Sequence, residues 1–128
     1  MGIKVANYTG TEVTLLAPLE NNINHQLSAF GGSLFSLAAL AGWGLMQLKL
    51  SEENLDANTV VASGDVTYSK PVIQELSCTC SLPADWNQFL KKLHEKGKGS
   101  VTMVSIISID EGSAMQFNGT YVVRLRGK

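Results

Sequence analysis

Several features that would place the protein in a specialised class are scarce. The chain has only two cysteines in 128 residues, which excludes a disulfide-rich secreted framework. Charged residues make up 16% of the sequence, well below the roughly 25% of an ordinary domain, so we expect a second copy of the chain to cover part of the surface. The net charge of −1 lacks the basic excess typical of duplex-binding proteins, and no nucleic-acid partner is predicted.

The common signatures of catalysis and cofactor binding are also missing from the sequence. It contains no Gly-x-Ser-x-Gly elbow, no phosphate-binding glycine loop followed by Lys and Ser or Thr, and no His-Glu-x-x-His motif. His25 and His94 lie in unrelated segments and do not combine with the cysteines into a metal-ligand pattern, so neither a metal nor a cofactor is predicted. Residues 1–5 lack the start of a secretory signal, and we expect a cytoplasmic location.

One long segment of the chain carries no charge. From Gln26 through Leu48 there is no Asp, Glu, Lys or Arg, which is long enough to span a bilayer. The run contains several glycines and serines, however, and it is followed by strand-like segments that need a sheet to pair with. We therefore expect a helix from about Ser28 to Leu48 that is buried inside the protein, and no membrane partner.

Alternation of apolar and polar residues predicts strands on both sides of this helix. The predicted strands are Ile3–Asn7, Val13–Ala17, Thr59–Ser69, Gln74–Leu82, Val101–Ile109 and Met115–Leu125. A second helix of about three turns is expected after Pro83, with Gly97 and Gly99 ending it. Residues 1–128 then form one α+β domain, an antiparallel sheet wrapped around a long apolar helix, whose open edge or face favours a homodimer or homotetramer.

Cys78 and Cys80 lie two residues apart in a predicted strand, so both side chains point to one face, beside Leu76 and Leu82. Residues i and i+2 on a strand face are roughly 6.5–7 Å apart, at the limit of disulfide geometry, and we expect two free, buried thiols.

Basic residues are concentrated around the second helix, at Lys91, Lys92, Lys96 and Lys98. They form either a solvated helix face or a docking site for an acidic partner, such as an acyl carrier protein or the phosphates of coenzyme A.

Polar residues and glycines gather where the long helix is expected to begin. They are Asn22, Asn24, His25, Ser28, Phe30, Gly31, Gly32 and Ser33. The first turn of a helix has unpaired N–H groups and a partial positive charge, and glycines there let a ligand oxygen approach the backbone. Such an arrangement stabilises an oxyanion or polarises a carbonyl, although paired glycines also serve close packing.

This region resembles a known family. The likeness rests on Ala29–Gly44, preceded by Asn24, and on Asp65–Val72, which contains the pattern Tyr68-x-x-Pro71. The whole chain is similar to the thioesterase-like hotdog proteins, and more narrowly to the YiiD C-terminal family, which occurs alone or after an acetyltransferase domain. The resemblance implies a central helix wrapped by an antiparallel sheet, edge-to-edge dimers, and acyl-thioester sites at the dimer interface.

The resemblance also implies roles for particular residues. In related acyl-CoA thioesterases a His-Gly-Gly motif begins the helix, and a backbone N–H there polarises the thioester carbonyl. Gly31 and Gly32 match this motif while Phe30 replaces the His, and Ala39 occupies the position of the usual catalytic Asp or Glu. The residues placed around the substrate are Asn24, Phe30, Gly31, Ser33, Ser36, Tyr68 and Pro71.

Two residues are candidates for the missing base. His25 is a base at neutral pH if its pKa lies at the ordinary histidine value of about 6.5, and Asp65 lies on a strand that a dimer could bring near the partner's helix. The alternatives are an exposed loop histidine and a solvent-facing strand residue, and Ser33 and Ser36 are alternatively hydroxyls bonded to the helix backbone. With Gly32 as the carbonyl-polarising residue, the sequence predicts a thioesterase acting on acyl-CoA or acyl carrier protein; the alternative is a non-catalytic module that binds acyl thioesters or only dimerises.

Overall fold

The computed structural model describes residues 2–18 and 31–127, and of residues 31–33 it describes the backbone only. Over these residues the elements are β1 (Lys4–Tyr8), β2 (Glu12–Ala17), α1 (Gly31–Glu52), β3 (Ala57–Tyr68), β4 (Leu76–Ser81), α2 (Trp86–Lys96), β5 (Lys98–Ile109) and β6 (Gly112–Leu125). Every predicted strand is present within a few residues of its expected bounds. The predicted start of the long helix, residues 28–30, lies outside the described residues, and α1 continues four residues beyond the predicted end at Leu48.

The strands form one antiparallel sheet in the order β1-β2-β4-β5-β6-β3. Helix α1 lies across one face, here called the inner face, and packs against β2, β3, β4, β5 and β6. The predicted α+β class and the antiparallel sheet around a central helix are therefore confirmed. The two edge strands differ, because β1 has 5 residues whereas β3 has 12.

Helix α1 owes its position to a face made of apolar and small residues. The side chains that it buries against the sheet are Leu34, Leu37, Ala38, Ala41, Leu45, Met46 and Leu50. By length and composition alone, Leu34–Glu52 would also pass as a membrane span. The opposite side of the helix remains apolar where it leaves the sheet, with Leu40 38% and Trp43 41% exposed. The expectation of a helix buried on all sides therefore does not hold within one chain.

The outer face of the sheet is mainly polar. Thr14 and Thr79 join β2 to β4 through a hydroxyl–hydroxyl hydrogen bond of 2.9 Å, and the amide of Gln116 donates to Asn118 over 3.0 Å. The apolar sequence on both sides of β5 correctly predicts a central strand. Its outer side is only partly covered, however, and Val104 is 37% exposed.

The β1–β2 hairpin is attached to the C-terminal end of α1 by polar contacts. Lys49 Nζ donates to the carbonyl of Gly10 over 2.8 Å and to the Glu52 carboxylate over 2.9 Å. The hydroxyl of Tyr8 donates to the other oxygen of Glu52. These bonds fix the hairpin at the end of α1 farthest from Gly31.

Helix α2 follows β4 and buries Trp86, Phe89 and Leu93. As predicted, Gly97 ends the helix. It adopts a left-handed conformation, with a φ of 76°, and its N–H donates to the carbonyl of Leu93 over 2.9 Å.

Candidate functional site

The described part of α1 begins with Gly31 and Gly32, the pair for which the sequence analysis predicts a carbonyl-polarising role. No acidic side chain occupies the first turn, so the helix dipole is not neutralised there by its own residues. Asn24, His25 and Phe30 lie outside the described residues, and of Ser33 only the backbone is described. The remaining predicted site residues, all of them described, are Gly31, Gly32, Ser36, Asp65, Tyr68 and Pro71.

Ala39 stands where related enzymes carry a carboxylate, and its backbone is held by a residue of the sheet. Tyr121, a fully buried residue of β6, donates a hydrogen bond from its hydroxyl to the carbonyl of Ala39 over 2.8 Å. The tyrosine reaches the helix because Gly42 has no side chain, since a Cβ at Gly42 would come within 2.5 Å of Tyr121 Cζ. The sequence does not predict this contact. Its one available signal is a small residue in the predicted helix, Gly42, together with a tyrosine in a predicted strand, Tyr121.

Beside the first turns of α1, a phenylalanine lies flat on the sheet. Gly64 of β3 and Gly119 of β6 are partners across the strands, and the ring of Phe117 occupies the space above both. A Cβ would come within 2.7 Å of Phe117 Cζ at Gly64 and within 2.9 Å at Gly119. The ring of Phe35, from α1, meets Phe117 edge-on, with the centroids 5.1 Å apart and the planes at 76°. We call Phe117 with this glycine pair the aromatic floor.

Asp65 lies on the outer face of the sheet, away from α1. It is the partner of Asn118, whereas its neighbours Gly64 and Val66 are partners of Gly119 and Phe117 on the inner face. Simple alternation from the buried Thr59 would have turned Asp65 inward. A β-bulge between Val61 and Ser63 shifts the register and reverses the faces beyond it. Within one chain, Asp65 and the start of α1 therefore lie on opposite sides of the sheet.

The other described site residues are not brought to one place. Tyr68 ends β3 opposite the buried Met115 and is 52% exposed. Pro71 is exposed in the following loop, where it lines an open pocket of about 470 Å³ between the β3–β4 connection and the β5–β6 turn. Ser36 is exposed, at helical spacing from Leu40 and Trp43 on the side of α1 turned away from the sheet.

Among residues 2–18 and 31–127, the buried titratable groups of the core do not supply a nucleophile or a base. Cys78 and Cys80 are free and buried beside Leu76, as predicted. Burial raises the pKa of Cys78 to about 12 and that of Cys80 to about 11, and it also raises the pKa of Tyr121 above its usual range. All three groups are therefore protonated at neutral pH, when thiols react poorly.

Two of the four lysines around α2 combine with an arginine of β6. Lys92, Lys98 and Arg124 line a shallow pocket of about 240 Å³, together with Ser100 and Val122. Arg124 lies seven positions after Phe117 in β6, and in a strand this corresponds to roughly 23 Å. In one chain the basic pocket is therefore remote from the start of α1.

The chain is similar to several known proteins. The family model described as "Putative thioesterase (yiiD_Cterm)" matches residues 1–125. A protein of unknown function from Chlorobaculum tepidum shares 34% identity, with a TM-score of 0.92 over 97% of this chain and 83% of that one. A Shewanella oneidensis protein described as "the putative thioesterase" shares 30% identity, with a TM-score of 0.88 over 95% of this chain and 83% of that one.

A more distant likeness bears on the fold alone. A thioesterase from Haemophilus influenzae shares 14% identity, with a TM-score of 0.75 over 99% of this chain and 81% of that one. Together these similarities confirm the predicted hotdog fold and the predicted family resemblance.

Proposed function

The chain belongs to the YiiD C-terminal thioesterase family, and from that premise we propose that it hydrolyses an acyl thioester carried by coenzyme A or by an acyl carrier protein. The observation that carries the proposal is the pair Gly31 and Gly32 at the beginning of the described part of α1. From this pair the helix runs for 22 residues, and its first described turn has no acidic side chain. The N–H groups and the dipole of a helix start suit a carbonyl oxygen that becomes negative during acyl transfer.

In the proposed reaction the N–H of Gly32 donates to the thioester carbonyl. A base removes a proton from water, the water oxygen attacks the carbonyl carbon, and the oxyanion forms against the helix start. Collapse of this intermediate breaks the carbon–sulfur bond, and the departing thiolate takes up the proton. Coenzyme A or phosphopantetheine takes part only as a portion of the substrate, and no further cofactor is needed.

We assign the base to His25 rather than to Asp65. Asp65 is exposed on the outer face of the sheet, so within one chain it points away from a carbonyl held at Gly32 and would act only across the interface of a dimer. An imidazole with an ordinary pKa of about 6.5 accepts a proton readily at neutral pH. His25→Ala should lower turnover by roughly 10²–10⁴ with little effect on substrate affinity, whereas Asp65→Asn should leave turnover within about twofold. The opposite result would return the role of base to Asp65.

We also propose that the active form is a homodimer, or a tetramer built from dimers. Strand β3 is a 12-residue edge strand that contains neither Lys nor Pro and exposes Val60 and Val61, by 49% and 38%. Edge strands of this kind readily pair with another chain. The exposed Leu40 and Trp43 of α1 provide a second apolar contact for a tetramer. Light scattering at micromolar concentration should give a dimer or tetramer, and a monomer would remove the proposed interface.

The central test measures the free thiol released from a panel of acyl-CoAs. Gly32→Val should block the approach of the carbonyl and lower the rate by about 10²–10³, the usual cost of losing one oxyanion donor. Gly44→Val is the matched control, because a Cβ at this position in the same helix meets no atom within 4 Å. Equal rates for the two variants would contradict the role given to Gly32.

One observation supports a second candidate function. Ala39 provides no carboxylate where related enzymes have one, which suits a module that binds acyl thioesters without hydrolysing them. In that case no thiol would be released, acyl-CoA would still raise the melting temperature of the protein, and Gly32→Val would abolish this protection.

A further inference from the structure

The aromatic floor lies in the path of an acyl group bound at the start of α1. Phe35 follows Gly31 by four residues, which places both on one side of the helix. Long helical side chains lean toward the N-terminus, so the Phe35 ring covers the turn that contains the proposed carbonyl site. The edge of this ring rests on Phe117, which is itself fully buried. An acyl chain that extends from a carbonyl at Gly32 toward the sheet would therefore contact the exposed Phe35 and, once that ring moved, the buried Phe117.

The glycine pair under Phe117 determines where its ring lies. Glycine weakens a strand, and two glycines opposite each other weaken both strands at one point. Here the cost is offset because the ring of Phe117 sinks onto the backbone, closer to the sheet than any Cβ would allow. The ring height is therefore set by Gly64 and Gly119, and it decides how deep the space under α1 is.

We propose that Phe117, lowered onto the sheet by Gly64 and Gly119, is a specificity-determining residue that limits the length of the acyl chain. This inference rests on the proposed function, because it places the acyl carbonyl at Gly32. Phe35 and the fully buried Phe117 fill the space where they meet between α1 and the sheet, and the preferred substrates therefore carry short acyl chains. Removing the Phe117 ring opens the floor to longer chains, whereas raising the ring shortens the chain that is accepted.

The test compares kcat/KM for straight-chain acyl-CoAs from acetyl to dodecanoyl. Phe117→Leu should move the optimum to longer chains, and each additional buried methylene should gain about fourfold, the equivalent of ~0.8 kcal/mol. Gly64→Ala should move the optimum in the opposite direction, because the new Cβ pushes the ring away from the sheet. The two variants should affect the Phe117 ring in opposite ways. If both move the optimal chain length in the same direction, the proposal is wrong.

Phe89→Leu is the matched control for loss of a ring. Phe89 is also buried and also lies against a glycine, with its Cε1 3.2 Å from the position of a Cβ at Gly99, but it belongs to α2. Phe89→Leu should lower the melting temperature of the protein and leave the dependence of kcat/KM on acyl-chain length unchanged. If Phe117→Leu is folded and keeps the wild-type profile, or if Phe89→Leu changes the profile equally, Phe117 does not set the length.

A second readout separates this proposal from the proposed hydrolysis. The shift in melting temperature produced by each acyl-CoA is measured for the same variants, which requires binding only. If no thiol is released but the preferred chain length still changes in opposite directions in Phe117→Leu and Gly64→Ala, hydrolysis is refuted and the role of Phe117 stands. If no acyl-CoA is hydrolysed and none protects the wild-type chain, both proposals fail.

Discussion

Gly42→Ala is the sharpest test of how α1 is seated on the sheet. The added Cβ would come within 2.5 Å of Tyr121 Cζ and 2.9 Å of Tyr121 Cε1, so either the ring or the helix must move. Moving the ring breaks the 2.8 Å hydrogen bond between the Tyr121 hydroxyl and the carbonyl of Ala39. A single methyl group thus changes both the packing and a buried polar contact.

The change in the free energy of unfolding is the sum of two costs and one gain. Overfilling a core costs about 1–3 kcal/mol. Leaving the buried Tyr121 hydroxyl without its acceptor costs about 1–3 kcal/mol more. Alanine regains about 1 kcal/mol in helix propensity relative to glycine. The net loss in the free energy of unfolding is therefore about 3 kcal/mol, which lowers the melting temperature by roughly 11 °C at about 2.1 cal/mol/K of unfolding entropy per residue.

Urea and thermal unfolding of Gly42→Ala and Gly44→Ala provide the assay. A Cβ at Gly44 meets no atom within 4 Å, so Gly44→Ala should gain about 0.5–1 kcal/mol from helix propensity alone. In the Tyr121→Phe background, which removes the oxygen nearest to the added methyl group, Gly42→Ala should cost at least about 1 kcal/mol less. If Gly42→Ala is as stable as Gly44→Ala, or if its cost is the same in both backgrounds, the packing argument is wrong.

Two further predictions concern pH. Burial raises the pKa values of Cys78 and Cys80, so the folded chain keeps both protons while the unfolded chain loses them, and stability should fall by about 2 kcal/mol between pH 9 and 10. The free energy of unfolding, measured in urea at each pH, should depend less steeply on pH in a Cys78→Ala/Cys80→Ala variant. An unchanged dependence on pH would contradict burial of the thiols. The hydrogen bond from Tyr8, followed by those from Lys49, lowers the pKa of Glu52, so its contribution is present above the ordinary pKa of 4.5 and is lost on acidification. The protection factors for hydrogen exchange in β1, which are corrected for the intrinsic exchange rate at each pH, should therefore fall as the pH drops below 4.5, and Tyr8→Phe should weaken this dependence; the same fall in both proteins would refute the link.

The sequence by itself determined the elements and the composition of the core. Alternation marked several strands, an apolar run marked β5 and an uncharged run marked α1, because residue pattern and charge are local properties that need no knowledge of the partner. The spacing of Cys78 and Cys80 put both thiols on one face for the same reason. The glycine pair was also visible as a motif, and the described part of α1 begins with Gly31 and Gly32.

Only the tertiary structure decided which side chains face α1. A single bulge between Val61 and Ser63 turned Asp65 away from the helix, and since strand side chains alternate with a period of two, one inserted residue reverses every position beyond it. Two contacts depend on how segments distant in sequence pack together. Gly42 contacts Tyr121, and Phe117 packs on Gly64 and Gly119. The Tyr121 hydroxyl and its acceptor are 82 residues apart in the chain, so no local pattern encodes their distance.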